Sequence, residues 1–445
     1  MNLAILSLAY LRARALNTAL NLILLALGIA TIVVLILFGA QLADRLTRDA
    51  RGFDLVVGAK GSPMQLILSA IYHLDVPTGN VPAATAGELR ANPLVQAVIP
   101  LALGDSLRGF RIVGTEHAYA LHYGARLADG RLWAEPFEAT LGAGVAAATG
   151  LGVGARFFGS HGLGAGGPAH GDHPYEVVGT LAPTGTVIDR LILTPIESVW
   201  LVHDGHRPGR PAGGRFREPG VAPPDAQRPE HDTEEADHDH GEEGTASAEA
   251  AHPHGDEPAP EEGREVTALL VRYGTPLAAV SLPRLINSRS ALQAASPAFE
   301  TTRLLALVGV GLDTLRVFGG LLIAAAALGV FIALTNALQE RRYDLAVMRA
   351  LGATRGTLFR QMLLEGSMLV GAGTALGIAT GHAVTELLGR AVPEARLMGL
   401  TGLVVEPGEL YVLALAVVVG LIAAAIPAAR AYRRTDIAAT LAARG

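Results

Sequence analysis

The chain has 445 residues, half of them hydrophobic, and a net charge of −6. That is too apolar for an ordinary soluble protein, too polar for one wholly immersed in lipid, and without the basic field that nucleic acid demands. There is no cysteine, which excludes disulfide frameworks, thiolate zinc sites and cysteine nucleophiles.

In chain order, the first apolar window lies between Arg14 and Asp44 and is greasiest over Leu22–Ala40. It is longer than a cleavable signal core of about 7–15 residues, so it predicts an uncleaved anchor. Short runs of strand character follow: Phe53–Gly58, Val95–Leu101, Gly109–Thr115, Tyr175–Leu181, Arg190–Thr194 and Val266–Tyr273. Helices are predicted over Glu88–Asn92, Gly144–Gly150 and Leu277–Ser288. Met64–Leu74 reads as an apolar helix, either domain core or a partner-binding face. From His203 to Arg264 the composition collapses into Pro, Gly, Asp, Glu and His, which predicts a disordered insertion. Three more windows follow at Val317–Gln339, Gly366–Thr385 and Leu410–Ala429. Each reaches the ~20 residues that a helix needs to cross ~30 Å of hydrocarbon.

Arginine placement sets the expected orientation. Arg12 and Arg14 precede the first span, Arg341, Arg342, Arg349, Arg355 and Arg360 lie between the second and third, and Arg430, Arg433 and Arg434 follow the fourth. Arg390 and Arg396 are offset by Glu394, Glu406 and Glu409. Both termini are therefore expected in the cytoplasm. The predicted organisation is a first span with its leader (1–43), an extracytoplasmic α+β domain (44–310) carrying the insertion (203–264), a second span (311–339) and a cytoplasmic hinge (340–365). A third span (366–389), a short outer loop (390–409), a fourth span (410–430) and a cytoplasmic tail (431–445) complete it.

The hinge places Leu345, Met348 and Leu351 at helical spacing, with Gly352 as a left-handed stop and Thr354 as the N-cap of the next helix. Such a stretch suits a positive loop lying on headgroups, or a helix docked to a cytoplasmic partner. The sequence "ERRYDLAVMRALGATRGTLFRQMLLEG" resembles the signature of FtsX/MacB-type ABC transporter permeases. "LAYLRARALNTALNLILLALGIA" and "IPAARAYRRTDIAATLAARG" at the two ends are similar to the same family. The resemblance implies four transmembrane helices with a large MacB-like periplasmic domain between the first two, in the inner membrane of a bacterium. It implies a non-catalytic permease paired with a cytoplasmic ABC ATPase and a second permease protomer, homo- or heterodimeric. ATP-driven motion would pass to the outer domain, to export or release periplasmic or lipid-associated cargo. Glu340, Arg341, Arg342, Asp344, Leu345, Met348, Arg349, Leu351 and Gly352 would shape and dock the hinge, and Glu365 would open the third span. The single lysine, Lys60, lies in Gly-Ala-Lys-Gly-Ser and cannot serve a P-loop, so ATP must be hydrolysed by another chain.

His231, His238, His240, His252 and His254 stand among carboxylates in the insertion. Imidazole and carboxylate suit zinc, nickel or copper; a solvated acidic linker with incidental histidines fits the same stretch. Any such site would be weak, since a flexible segment loses entropy on ordering, and no cofactor for catalysis is expected. Val56–Asn80 resembles a subgroup of these permeases associated with zinc handling. Two other functions stay open: a regulator that passes the motion to a periplasmic partner such as a cell-wall hydrolase, and a zinc-responsive receptor. His382, in the third span, reads as a hydrogen-bonding group between helices more readily than as a proton relay.

Overall fold

The chain opens with helix α1 (Leu3–Ala13), turns at Arg14, and enters the 36-residue helix α2 (Ala15–Ala50). This computed structural model describes residues 3–162, 173–204, 263–289, 291–340, 352, 354–392, 395–396 and 398–434. The charges at Asp44, Arg45, Arg48 and Asp49 close the apolar window of α2 but not the helix, which carries Leu46 and Asp49 buried into the globular domain.

That domain follows as β1 (Leu55–Ala59), α3 (Pro63–Ala70), β2 (Val81–Pro82), α4 (Ala84–Arg90), β3 (Val95–Leu107), β4 (Phe110–Thr115) and α5 (His117–His122). Next come β5 (Leu127–Gly130), β6 (Glu138–Leu141), α6 (Ala143–Thr149), β7 (Arg156–Phe157), β8 (Ser160–His161), β9 (Tyr175–Leu181), a 3-10 turn (Val187–Arg190) and β10 (Leu191–Pro195). The domain closes with α7 (Ile196–Asp204), β11 (Glu265–Val266), β12 (Ala268–Tyr273), α8 (Ala278–Asn287) and β13 (Leu292–Ala295). One sheet runs in the order β13-β1-β12-β3-β4-β10-β6-β9-β5, with β7 beside β9 and β8 beside β3. β10 is parallel to β4 and β6 to β9; the other pairs are antiparallel.

Both faces of this sheet are covered. Because strand side chains alternate, Val56, Ala268 and Leu270 point to one core with Leu66, Ile67, Tyr72 and Tyr119. Leu55, Val57, Leu269 and Val271 point to the other, with Leu89, Val199, Leu282 and Ile286. Each such fully buried aliphatic side chain contributes about 1.5–3 kcal/mol. α3 starts on a Ser62 cap with Pro63 in its first turn, and Leu66, Ile67, Ala70 and Ile71 are buried. That segment is core, and the partner-binding alternative is set aside.

The predicted strand over Val266–Tyr273 is broken into β11 and β12, because the Thr267 hydroxyl takes the Leu103 amide, 2.9 Å away. β3 runs past its predicted end at Leu101 to Leu107, through a register shift between Leu103 and Ser106.

Among the described residues three long helices follow: α9 (Pro297–Glu340), α10 (Arg355–Ala391) and α11 (Gly408–Arg434). With α2 they are the four described helices long and apolar enough to cross a membrane. α9 begins well before the second apolar window, and Leu304 and Leu305 pack against the same domain core as Leu42 and Ala50 of α2.

Candidate coupling site

Gly352 has φ +100°, the conformation a glycine stop requires. Thr354 caps α10 by accepting the Thr357 amide at 3.2 Å. Glu340 ends the described part of α9. Arg341, Arg342, Asp344, Leu345, Met348, Arg349 and Leu351 lie outside the described residues, as do His231, His238, His240, His252 and His254.

Glu365 sits well inside α10 and is 5% exposed. It faces a small cavity lined also by Tyr10, Arg14 and Asn21 from the α1–α2 corner and by Leu334 of α9. Three helices therefore meet around this carboxylate, close to the end of α10 that Thr354 caps.

The spanning helices meet through small residues. A Cβ at Gly373 would lie 2.7 Å from the Leu25 side chain; one at Gly377 would lie 2.7 Å from Ile29 Cβ; one at Gly381 would lie 2.8 Å from Val33. Glycine at every fourth position gives α10 a flat face on which α2 lies, as small-residue interfaces in membranes do. On another side of α2, a Cβ at Gly28 would come within 3.0 Å of the Ile323 amide nitrogen of α9. The chain segment between α10 and α11 is tied at the same end as the globular domain. His382 Nδ1 is 2.6 Å from the Gly402 carbonyl and its Nε2 is 2.9 Å from the Glu409 carboxylate. The Gln41 amide of α2 exchanges hydrogen bonds with the Thr401 backbone at 2.8 and 2.9 Å. His382 thus bridges helices, as a half-buried polar group in a bundle does.

Where helices enter the domain, polar groups fix them. The Tyr72 hydroxyl lies 2.5 Å from Thr301 Oγ1 of α9 and 3.2 Å from the Leu46 carbonyl of α2, so one side chain holds both helices. Burial pushes the Tyr72 hydroxyl up to about 12. Asp49 is fully buried, accepts the Val187 amide at 2.8 Å, and stands 3.8 Å from both Arg45 Nε and Arg190 Nη2. Burial first, then the like charge of Arg45, lowers the Arg190 guanidinium to about 10. None of these docking residues was singled out from sequence. The glycine ladder carried a readable signal in its spacing of four; the Asp49 and Tyr72 contacts join segments too far apart in the chain to leave one.

Residues 316–435 match the family described as FtsX-like permease C-terminal, and residues 18–214 match the MacB-like periplasmic core domain. The first match covers three of the long helices; the second starts inside α2 and takes in the domain through α7. The chain belongs to the FtsX/MacB-type permeases. In Bacillus subtilis (strain 168), the ABC transporter permease YtrF is 31% identical to this permease over 75 residues, which is 17% of either chain. The match thus spans under a fifth of that relative's length. A crystal structure of the extracellular domain of the noncanonic ABC-type transporter YknZ, from Gram-positive bacteria, aligns with 54% of this permease and 99% of its own chain. Identity there is 11% and the TM-score 0.28, too low to speak for a shared arrangement.

Proposed function

We propose that this permease carries motion from a separate ATP-binding subunit, across the membrane, into its outer domain. The observation that supports the reading is the continuity of α2 and α9. At 36 and 44 residues they are ~54 and ~66 Å long at 1.5 Å per residue, well beyond the ~30 Å of hydrocarbon. A helix that is unbroken and docked at its far end moves that end when its near end is pushed. The near end would lie in the cytoplasm, where the arginine-rich stretch after α9 would meet the ATPase, and both termini would share that side. The bacterial inner membrane is the setting this orientation implies. α9 leaves Leu307, Val310, Val317, Phe318 and Leu321 exposed, an apolar strip suited to lipid and to a second permease protomer. Cargo released on the outer side, or a partner protein there such as a hydrolase, would receive the motion. The test is a triple variant, Leu345→Asp, Met348→Asp and Leu351→Asp, co-expressed with the candidate ATPase. Loss of permease-dependent ATPase stimulation, with insertion intact, is expected; unchanged stimulation refutes docking through this stretch.

A further inference from the structure

Two cavities adjoin where the helices leave the membrane on the side of the globular domain. One, of about 230 Å³, is walled mainly by Phe38 and Leu42 of α2 and by Val392, Ala395, Met398 and Leu400 beyond the end of α10. Its polar lining residues are Gln41, occupied by Thr401, and Arg45. The other, of about 400 Å³, is bordered by Arg45, Arg190 and Arg396, with Ala147 of α6 on its wall. Arg45 belongs to both, and Ala395 and Arg396 are neighbours in the chain, one in each. An apolar slot at membrane depth therefore continues into a cationic chamber just above it.

Among the described residues, the charges around the chamber do not balance. Three arginines and one carboxylate, Asp189, line it, and Asp49 lies buried behind Arg45 and Arg190. Asp189 is engaged by the Thr184 and Gly185 amides and the Thr184 hydroxyl at 2.8–3.1 Å. Asp49 spends one oxygen on Val187 and stands 3.8 Å from the two guanidinium groups, beyond hydrogen-bond distance. An anion with several oxygens in the chamber would supply the missing negative charge, and arginine is the side chain that suits phosphate.

We propose that these joined cavities form a site for an anionic glycerophospholipid of the leaflet facing the domain, its phosphate in the arginine chamber and an acyl chain in the Phe38–Leu400 slot. A free phosphate would fill the chamber and leave the slot empty; a plain hydrocarbon would do the reverse. Only a ligand that joins both chemistries at this depth uses Arg45 from both sides. The site rests on geometry alone and stands whether or not an ATPase drives the permease.

The experiment uses the full chain, purified in detergent and stripped of lipid. Phosphatidylglycerol, phosphatidylcholine or water-soluble glycerol 1-phosphate is added back, and binding is read by native mass spectrometry and by thermal unfolding. The wild type is expected to retain one phosphatidylglycerol per chain and to gain thermal stability from it. Arg396→Gln removes a charge at an exposed position, and Ala147→Trp fills the chamber without touching any charge. Each is expected to weaken retention by about tenfold or more, the worth of one or more charge-assisted hydrogen bonds. Equal retention of phosphatidylcholine overturns the anionic headgroup. Equal stabilisation by glycerol 1-phosphate shows an anion site without the acyl slot and overturns the lipid assignment. Undiminished phosphatidylglycerol retention in both variants overturns the location.

Discussion

Replacing Asp49 with Asn tests whether α2 is locked to the domain by charge. The substitution keeps the shape and the acceptor for the Val187 amide, 2.8 Å away, and removes only the negative charge. Arg45 and Arg190 lie 3.8 Å from that charge, with 12% and 15% of their side chains exposed. At an effective dielectric of 20, each pair is worth about 4 kcal/mol of gross attraction. Most of this offsets the desolvation of three ions, so the net value of the triad is small. The variant does not recover that desolvation, because both arginines stay buried. The expected cost is therefore about 3–5 kcal/mol, the usual penalty for breaking a buried pair from one side. Urea unfolding of the full-length permease in detergent, followed by the fluorescence of the buried Trp133, measures it. Asp49→Asn combined with Arg190→Gln should cost less than the two singles together by about 1 kcal/mol or more, since the second change removes a cation the first left stranded. A loss below about 1 kcal/mol for Asp49→Asn, or strict additivity in the pair, would refute the charge lock.

Other outcomes follow from the same structure. Gly377→Val places a Cβ 2.7 Å from Ile29 Cβ and should cost about 1–3 kcal/mol by overpacking, seen as a lower thermal midpoint in detergent. His73 is buried against the Tyr119 hydroxyl at 2.9 Å, and burial, then Arg111 and Arg190, holds its ring well below the usual histidine range. The folded protein then resists a proton that the unfolded chain accepts, so stability is full above about pH 6.5 and falls by up to ~1.4 kcal/mol per pH unit below it. His73→Asn, which suits the positive φ of 54°, should flatten that acid slope in urea titrations run from pH 7 to 5. Zinc titrated onto the full chain should bind weakly and less well as pH falls through about 6.5; replacing His238, His240, His252 and His254 with Ala should abolish it, and unaltered binding would return the stretch to a plain linker.

The spanning helices were legible because lipid imposes length and apolarity together, and β9 falls on its predicted bounds, Tyr175–Leu181. The ends of helices were not. Charged residues after Ala40 read as the close of a span, yet α2 continues to Ala50 because the domain meets Asp49 with Val187 and Arg190. Isolated short strands such as β7 and β8 carry two residues each, too few for alternation to register. At the candidate coupling site, Thr354 caps α10 as its position announced, and Gly352 has the positive φ that a stop would need. α10 runs from its Thr354 cap into the third apolar window and sets Glu365 just before that window, as the sequence implied; what it did not imply is that α1, α2 and α9 bury the carboxylate. That burial depends on how three helices lean together, which no local pattern encodes.

The two sides of the acidic stretch meet in one place. Trp200 of α7 donates to the Glu265 carbonyl at 2.6 Å, and the Arg264 guanidinium stacks over its ring at 4.9 Å. The chain departs from α7 and returns through β11 to almost the same point, so these two ends are joined to each other within the described domain. Between two points this near, the closure entropy of a connection grows slowly with its length, by about 0.6 kcal/mol per doubling. This junction is therefore a socket: whole modules of different sizes can be exchanged there, by evolution or by an experimenter grafting a fluorescent reporter, while the permease around it keeps its architecture.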